Sequence, residues 1–252
     1  MNPASERVVS KVPEVTLVFW LIKIAATTLG ETGGDAVSMS MNLGYLIGTA
    51  VFAAVFVLAV TAQIKARRFQ PLLYWATIIA TTTVGTTLAD FADRSLGIGY
   101  AGGSALLLLL LMSSFAIWYR SLGSVSVDSI DSPRSEMYYW LTIMFSQTLG
   151  TALGDWTADS AGLGYEGAAL IFGGLLLVLV AAYLWTRVSH TLLFWAAFIL
   201  TRPLGAVVGD FLDKPINAGG LALNRYAASL LLLAFIAACM LGFRQRAAAR
   251  MH

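Results

Sequence analysis

Four aspartates recur at equivalent positions of four similar segments, and their type and spacing could support ion chemistry. They are Asp35, Asp90, Asp155 and Asp210, separated by 55, 65 and 55 residues. Each ends a largely apolar stretch, where a carboxylate costs about 3 kcal/mol unless it pairs or binds an ion. The spacing therefore predicts that four carboxylates are gathered in one place.

Other polar residues in the same stretches indicate what these carboxylates could bind. Glu31 lies four residues before Asp35, on the same face of a helix. Lys23 and Arg202 are the basic residues within the apolar stretches, so five ionised carboxylates would leave a net charge of −3. Such a charge requires a cation or shared protons in a low-dielectric site. Oxygen ligands, which include threonine hydroxyls and the Gln147 amide, favour Mg²⁺, Ca²⁺ or Mn²⁺ over Zn²⁺ or Cu⁺.

The sequence thus predicts a metal site formed by Glu31, Asp35, Asp90, Asp155 and Asp210. Lys23 and Arg202 are expected either to be counter-charges that compete with the ion or to fix the helix packing. A second interpretation stays open, in which each aspartate caps a loop by accepting backbone N–H bonds. Three further acids, Asp93, Asp159 and Asp213, are expected to be solvated loop residues, with an outer vestibule of the site as the alternative.

The segments that carry the aspartates form an internal repeat. Each begins with an aromatic residue and a tryptophan, has a glycine ten residues after the tryptophan, and then a small residue just before the aspartate. The small residues predict close helix packing at Gly30, Gly34, Gly85, Gly150, Gly154, Gly205 and Gly209. The tryptophans are expected to lie in an interfacial belt: Trp20, Trp75, Trp140 and Trp195. Three repeats reach a tyrosine ten residues after the aspartate, where the fourth has Gly220.

Composition indicates a membrane protein. Of 252 residues, 58% are hydrophobic and 12% charged, with a net charge of +2, whereas soluble domains have about 25% charged residues. Apolar runs of about 20 residues predict transmembrane helices. We expect an all-α polytopic protein whose eight spans form four parallel two-helix repeats. The predicted spans are 15–36, 43–63, 72–92, 100–119, 138–157, 165–186, 191–212 and 222–243.

The distribution of basic residues predicts the orientation. Eleven Lys and Arg residues, Arg7 and Arg250 among them, fall on one side of the predicted membrane and three on the other. The positive-inside rule then places both termini in the cytoplasm, as in a multi-pass protein of a bacterial inner membrane. Repeats one and two occupy 1–120 and repeats three and four occupy 137–252. A cytoplasmic linker at 121–136 joins them within one integral membrane domain.

Several function classes are excluded by what the chain lacks. One cysteine and two histidines form neither an internal disulfide nor a thiolate or paired-histidine metal site. The GIGYAG and GLGYEG segments match a dinucleotide fingerprint without the strand that it needs. No nucleophile stands with a usable base, so we expect a non-enzyme without a cofactor and without a nucleic-acid partner.

The GxxxGD hairpins, with their FW and YW openings and the TRPLGAVVGD and NLGY/GLGY elements, resemble a family of uncharacterised bacterial inner-membrane proteins. The resemblance covers nearly the whole chain and implies no firm activity. The ETGGD segment at 31–35 is also loosely similar to the E-x-G-D motifs of cation/proton exchangers of manganese and calcium homeostasis. That likeness favours Mn²⁺, although only the first repeat has the glutamate and its spacing is one residue longer.

The leading hypothesis is a secondary transporter or exporter of a divalent cation, driven by proton exchange at the carboxylates. Its substrate is Mn²⁺, with Ca²⁺ or Mg²⁺ as alternatives, and its partners are the lipid bilayer, the cation and protons. A homodimer is compatible with the sequence. Two other hypotheses stay open: a non-transporting scaffold or accessory subunit, and a pseudo-tetrameric ion channel. The unique Glu31 and Arg202 break the four-fold pattern and disfavour the channel.

Overall fold

The computed structural model describes residues 10–248, which form eight long α-helices and no β-strand. The all-α prediction is confirmed. The helices are α1 (Leu17–Asp35), α2 (Gly44–Lys65), α3 (Pro71–Asp90), α4 (Tyr100–Leu122), α5 (Pro133–Asp155), α6 (Gly164–Trp185), α7 (His190–Asp213) and α8 (Arg225–Gly242). Arg7 and Arg250, two of the basic residues that predict the orientation, lie outside the described residues.

Six of these helices are long and apolar enough to cross a membrane, as judged within residues 10–248. They are α2, α3, α4, α6, α7 and α8. The other two, α1 and α5, carry more polar residues, and most of those are buried inside the protein. The buried polar residues of α1 and α5 face the helices packed around them.

The odd-numbered helices form a closed inner ring. Helix α1 contacts α3, α3 contacts α5, α5 contacts α7, and α7 returns to α1. Each even-numbered helix packs outside the ring on the inner helix of the next repeat: α2 on α3, α4 on α5, α6 on α7, and α8 on α1. The four repeats are therefore interlocked, and α8 closes the circle.

The repeat glycines allow the inner helices to approach each other closely. At each of the four contacts, the first repeat glycine of one helix packs against a residue of the next inner helix. That residue lies three positions before the first repeat glycine of its own helix. These contacts are Gly30 with Thr82, Gly85 with Gln147, Gly150 with Arg202 and Gly205 with Thr27. A Cβ atom at Gly205 would overlap the Thr27 side chain, so the ring depends on residues that lack one.

One end of the ring is closed by an aromatic floor: Phe19, Trp20, Tyr74, Trp75, Tyr139, Trp140, Phe194 and Trp195. Each first aromatic residue contacts the tryptophan of the neighbouring repeat. The ring centroids of Phe19 and Trp75, for example, are 5.3 Å apart. Three of the tryptophans are at most 4% exposed and Trp20 is half-buried. The predicted interfacial belt is therefore wrong, because the rings face one another across the bundle.

Polypeptide outside the helices covers the floor. We call it the lid, and it comprises residues 10–14, 124–131 and 245–248. The backbone N–H of Lys11 donates to Ile130 at 3.0 Å, and that of Ala248 donates to Val12 at 2.8 Å. The indole N–H of Trp195 donates to the carbonyl of Val125 at 2.8 Å and joins the lid to the floor.

Candidate cation site in a layer of carboxylates

The predicted ligands lie at the ends of the inner helices opposite the aromatic floor. After Asp35, Asp90 and Asp155 the helix widens into a five-residue π turn, with hydrogen bonds such as Met41 N–H to Ala36 O at 2.9 Å. In the fourth repeat, α7 continues past Asp210 as an ordinary helix. Single π turns inside helices are frequent at functional sites.

All five predicted carboxylates are buried, each at most 3% exposed. We call them the carboxylate layer: Glu31, Asp35, Asp90, Asp155 and Asp210. Glu31, Asp35 and Asp210 each offer an oxygen, and these three oxygens lie within 4.8 Å of one another. The spacing is compatible with a single ion that all three carboxylates share.

The other two members of the layer form a separate pair. Arg94 lies between them, with Nε 2.8 Å from Asp90 and Nη2 3.3 Å from Asp155. The structure thus divides the predicted five-carboxylate site into a triad and an arginine-bridged pair.

Two more basic residues reach the triad from the loop and from the start of α8. Lys214 Nζ lies 2.6 Å from Asp35 and 3.0 Å from Asp210. Arg225 contacts Asp213 at 2.9 Å and Asp35 at 3.6 Å. Burial disfavours the charge of Lys214, but Asp210, Asp35 and Asp213 outweigh it and raise the pKa of Lys214 above its ordinary value.

These contacts correct the predicted charge balance. Arg94, Lys214 and Arg225 join Arg202 at the carboxylate layer, whereas Lys23 lies elsewhere. Four basic groups thus face the five carboxylates and Asp213, which leaves a formal charge of −2. The predicted net charge of −3 is therefore wrong. Sequence does contain a signal for two of them, because Arg94 and Lys214 each follow a repeat aspartate by four residues, which is one helical turn.

The three acids predicted to be solvated differ from one another. Asp213 is 7% exposed and pairs with Arg225, and Asp93 is 9% exposed and packs against Gly103. Asp159 is exposed, as predicted. The prediction is wrong for Asp213 and Asp93, because the helical turn that follows the repeat aspartate directs them inward.

Arg202 lies on the central axis. Its Nη2 donates to Glu31 at 2.9 Å, to Thr86 at 2.6 Å and to the hydroxyl of Thr151. These partners belong to α1, α3 and α5, so the guanidinium extends from α7 to all three other inner helices. Arg202 is completely buried and blocks the axis between the carboxylate layer and the aromatic floor.

Lys23 does not reach the carboxylates. It lies eight residues before Glu31, about 12 Å along the helix, with Nζ 4.1 Å from the Phe198 ring centroid. Within residues 10–248 its Nζ has no hydrogen-bond partner, and its side chain is 0% exposed. Its predicted role as a counter-charge to the carboxylates is therefore wrong, whereas Arg202 does pair with Glu31.

The loop-capping interpretation has no support in this geometry. At the starts of the π turns, Asp35, Asp90 and Asp155 make no capping hydrogen bond through their side chains. Their oxygens instead face Lys214, Arg225 and Arg94.

Comparison with known proteins agrees with the four-fold repeat. The segments 18–69, 73–124, 138–189 and 193–246 each match one family, described as Repeat of Unknown Function (DUF347). Neither a curated protein nor a solved structure matches the chain.

Proposed function

Because this chain belongs to the DUF347 repeat family, whose description assigns no activity, we propose its function from the geometry of the carboxylate layer. The protein is a multi-pass transporter of a bacterial inner membrane, with all eight long helices spanning the bilayer and both termini cytoplasmic. It exchanges a divalent cation, preferentially Mn²⁺, for protons.

The membrane assignment is supported by the outer helices. Most of α2, α6 and α8 is uncovered, and their exposed side chains are large and apolar, such as Leu58 and Leu170 at 70% and 78% exposure. An apolar surface of this extent requires lipid or a partner protein. The polar inner helices α1 and α5 are then shielded from lipid by the ring and the outer helices.

The observation that carries the proposal is the buried triad of Glu31, Asp35 and Asp210, whose oxygens lie within 4.8 Å of one another. Hard divalent ions prefer several oxygen ligands, and carboxylates bind protons or cations alternately at a single site. Lys214 occupies the space between Asp35 and Asp210, so it acts as a tethered cation that an incoming ion displaces. Its side chain is 12% exposed and therefore lies at the boundary between the layer and the solvent.

The distribution of ion pairs supports alternating access. Four bridges join the two-repeat halves: Arg94–Asp155, Arg202–Glu31, Lys214–Asp35 and Arg225–Asp35. At the opposite end, Lys11 pairs with Glu136 at the start of α5. The Tyr74 and Tyr139 hydroxyls also meet across the halves, 2.6 Å apart. Replacement of Lys214 by a metal ion would change the bridges at the carboxylate end only. The two halves, which are related by an axis along the membrane normal, could then rock against each other around the site, as the repeats of other transporters do.

A continuous channel is disfavoured by Arg202, which spans the axis, and by the aromatic floor beneath it. A transporter needs such barriers on at least one side of its site at all times, whereas an open pore does not.

Purified protein in liposomes tests this function through Mn²⁺ uptake and lumenal pH, followed together with ion-sensitive dyes. We expect Mn²⁺ movement with opposite proton movement in the wild type, loss of both in Asp35→Asn, and wild-type rates in Asp159→Asn. Asp159 is the matched control, since it is an exposed aspartate four residues after Asp155. Equal rates in the wild type, Asp35→Asn and empty liposomes would refute the proposal.

A further inference from the structure

Several buried polar atoms, at the level of Arg202 and one helical turn closer to the aromatic floor, have no hydrogen-bond partner. Within residues 10–248 these atoms include Lys23 Nζ, both amide atoms of Gln147, Thr82 Oγ1, and Nε and Nη1 of Arg202. All four side chains are 0% exposed. A buried donor without a partner costs about 1–3 kcal/mol, and more when charged, so a group of them indicates a ligand.

The helix contacts place these residues at neighbouring levels of the ring. Thr82, Gln147 and Arg202 occupy the same repeat position, and each lies against the first glycine of the preceding inner helix. Lys23 belongs to the level one helical turn closer to the aromatic floor, where its Nζ lies over the Phe198 ring. Four inner helices thus contribute to this donor cluster, which we define as Lys23, Thr82, Gln147 and Arg202.

The hydroxyl of Thr82 is unusual for its helix. Thr77, Thr81 and Thr83 each donate to the carbonyl four residues earlier, which is the common way to satisfy a threonine inside a helix. Thr82 makes no such bond, and its carbonyl instead accepts from Thr86. Its hydroxyl is therefore free to donate to a bound group.

The chemistry of the cluster favours an anion. Lysine and arginine are donors only, and the Gln147 amide and the Thr82 hydroxyl each add a donor. Glu31 pairs with Arg202, which leaves the formal positive charge of Lys23 without a counter-charge. A single monovalent anion would neutralise it, whereas a second metal ion would increase the imbalance.

We infer that the donor cluster binds one small monovalent anion of halide size, with chloride as the natural probe. The anion would lie on the opposite side of Arg202 from Glu31. Nη2 then donates to the carboxylate, and Nε and Nη1 donate to the anion. This site is distinct from the cation triad and does not depend on cation transport.

Equilibrium binding of ³⁶Cl⁻ to purified protein, measured at constant ionic strength with gluconate as the replacement ion, tests the inference. We expect one chloride per chain in the wild type, displaced by bromide. Binding should be weaker by about tenfold or more in Lys23→Met and in Gln147→Leu, because each variant removes a buried donor. Lys65→Met, at an exposed helix end, is the matched control and should bind as the wild type does.

Thermal unfolding of the same proteins in chloride and in gluconate supplies an independent measurement. Chloride should raise the unfolding temperature of the wild type and of Lys65→Met more than that of Gln147→Leu. If Lys23→Met does not fold, Gln147→Leu alone tests the inference, because this variant removes a donor without changing the charge of the cluster. The absence of saturable chloride binding in the wild type would mean that only water occupies the cluster. Either that result or full binding in Gln147→Leu would overturn the inference.

Discussion

The buried pair of Arg202 and Glu31 should behave as an energetic unit. The two groups are 0% and 3% exposed, and the Nη2–Oε2 distance is 2.9 Å. Glu31→Gln keeps the shape of the side chain but leaves the guanidinium without its carboxylate. Removal of one partner of a buried pair costs about 3–5 kcal/mol, because the remaining charge is desolvated and uncompensated. We expect Glu31→Gln and Arg202→Met each to lower the free energy of unfolding by about 3 kcal/mol or more.

The double variant distinguishes a coupled pair from two independent losses. With both charges removed, no uncompensated ion remains, so the loss should be close to that of one single variant. The coupling energy would then be about 2–3 kcal/mol. Denaturant unfolding in mixed micelles measures all four proteins, and Asp159→Asn should stay within about 0.5 kcal/mol of the wild type. Additive losses, with a coupling energy near zero, would refute the account of Arg202 as the axial partner of Glu31.

Three further predictions concern the ring, the lid and the contact between the halves. Gly205→Ala should destabilise the protein by about 1–3 kcal/mol in denaturant unfolding, because the added Cβ overlaps Thr27. Gly33→Ala is the control: its Cβ enters open space, so it should be neutral or stabilising, and equal effects of the two variants would contradict the ring packing. Trp195→Phe removes the 2.8 Å bond to Val125 and should speed proteolysis within 121–136, whereas unchanged cleavage would contradict the attachment of the lid. Tyr74→Phe leaves the Tyr139 hydroxyl without its 2.6 Å partner and should lower the free energy of unfolding by about 1 kcal/mol, and no loss would show that this contact between the halves is unimportant.

Much of the architecture follows from the repeat. The glycine pattern predicts the close contacts of the inner helices, because only residues without a Cβ fit there, as Gly205 against Thr27 illustrates. The equal register of the aspartates predicts that they lie at one level. Which outer helix covers which inner helix is not encoded in any local pattern. The packing of α8 on α1 depends on closure of the whole ring.

The candidate site was predicted less completely, for two physical reasons. The first reason is that charged residues just beyond an apolar run are expected to be solvated. In the structure, the turn after the repeat aspartate directs Arg94 and Lys214 back onto the carboxylates. The second reason is the length of the basic side chains. The Arg202 side chain extends from its Cα towards the carboxylates, whereas the Lys23 side chain stays near the aromatic floor. Spacing along the sequence alone does not distinguish these two directions.

The tryptophans illustrate a related ambiguity. An aromatic residue near the end of an apolar helix is typical of an interfacial belt, and Trp75 fits that pattern in sequence. In the structure it packs against Phe19 of the neighbouring repeat and is 1% exposed. The aromatic residue just before the tryptophan in all four repeats is the sequence signal for a continuous aromatic layer.

Direct binding of Mn²⁺ tests the central claim, that the buried carboxylate triad holds a divalent cation. The electron paramagnetic resonance signal of free Mn²⁺ reports the bound fraction in purified protein at equilibrium. We expect one tight ion per chain in the wild type and in Asp159→Asn. Affinity should be lower by about tenfold or more in Asp35→Asn and Asp210→Asn, since each loses a charged ligand. Identical Mn²⁺ affinity in all four proteins, or no saturable binding in the wild type, would contradict the account.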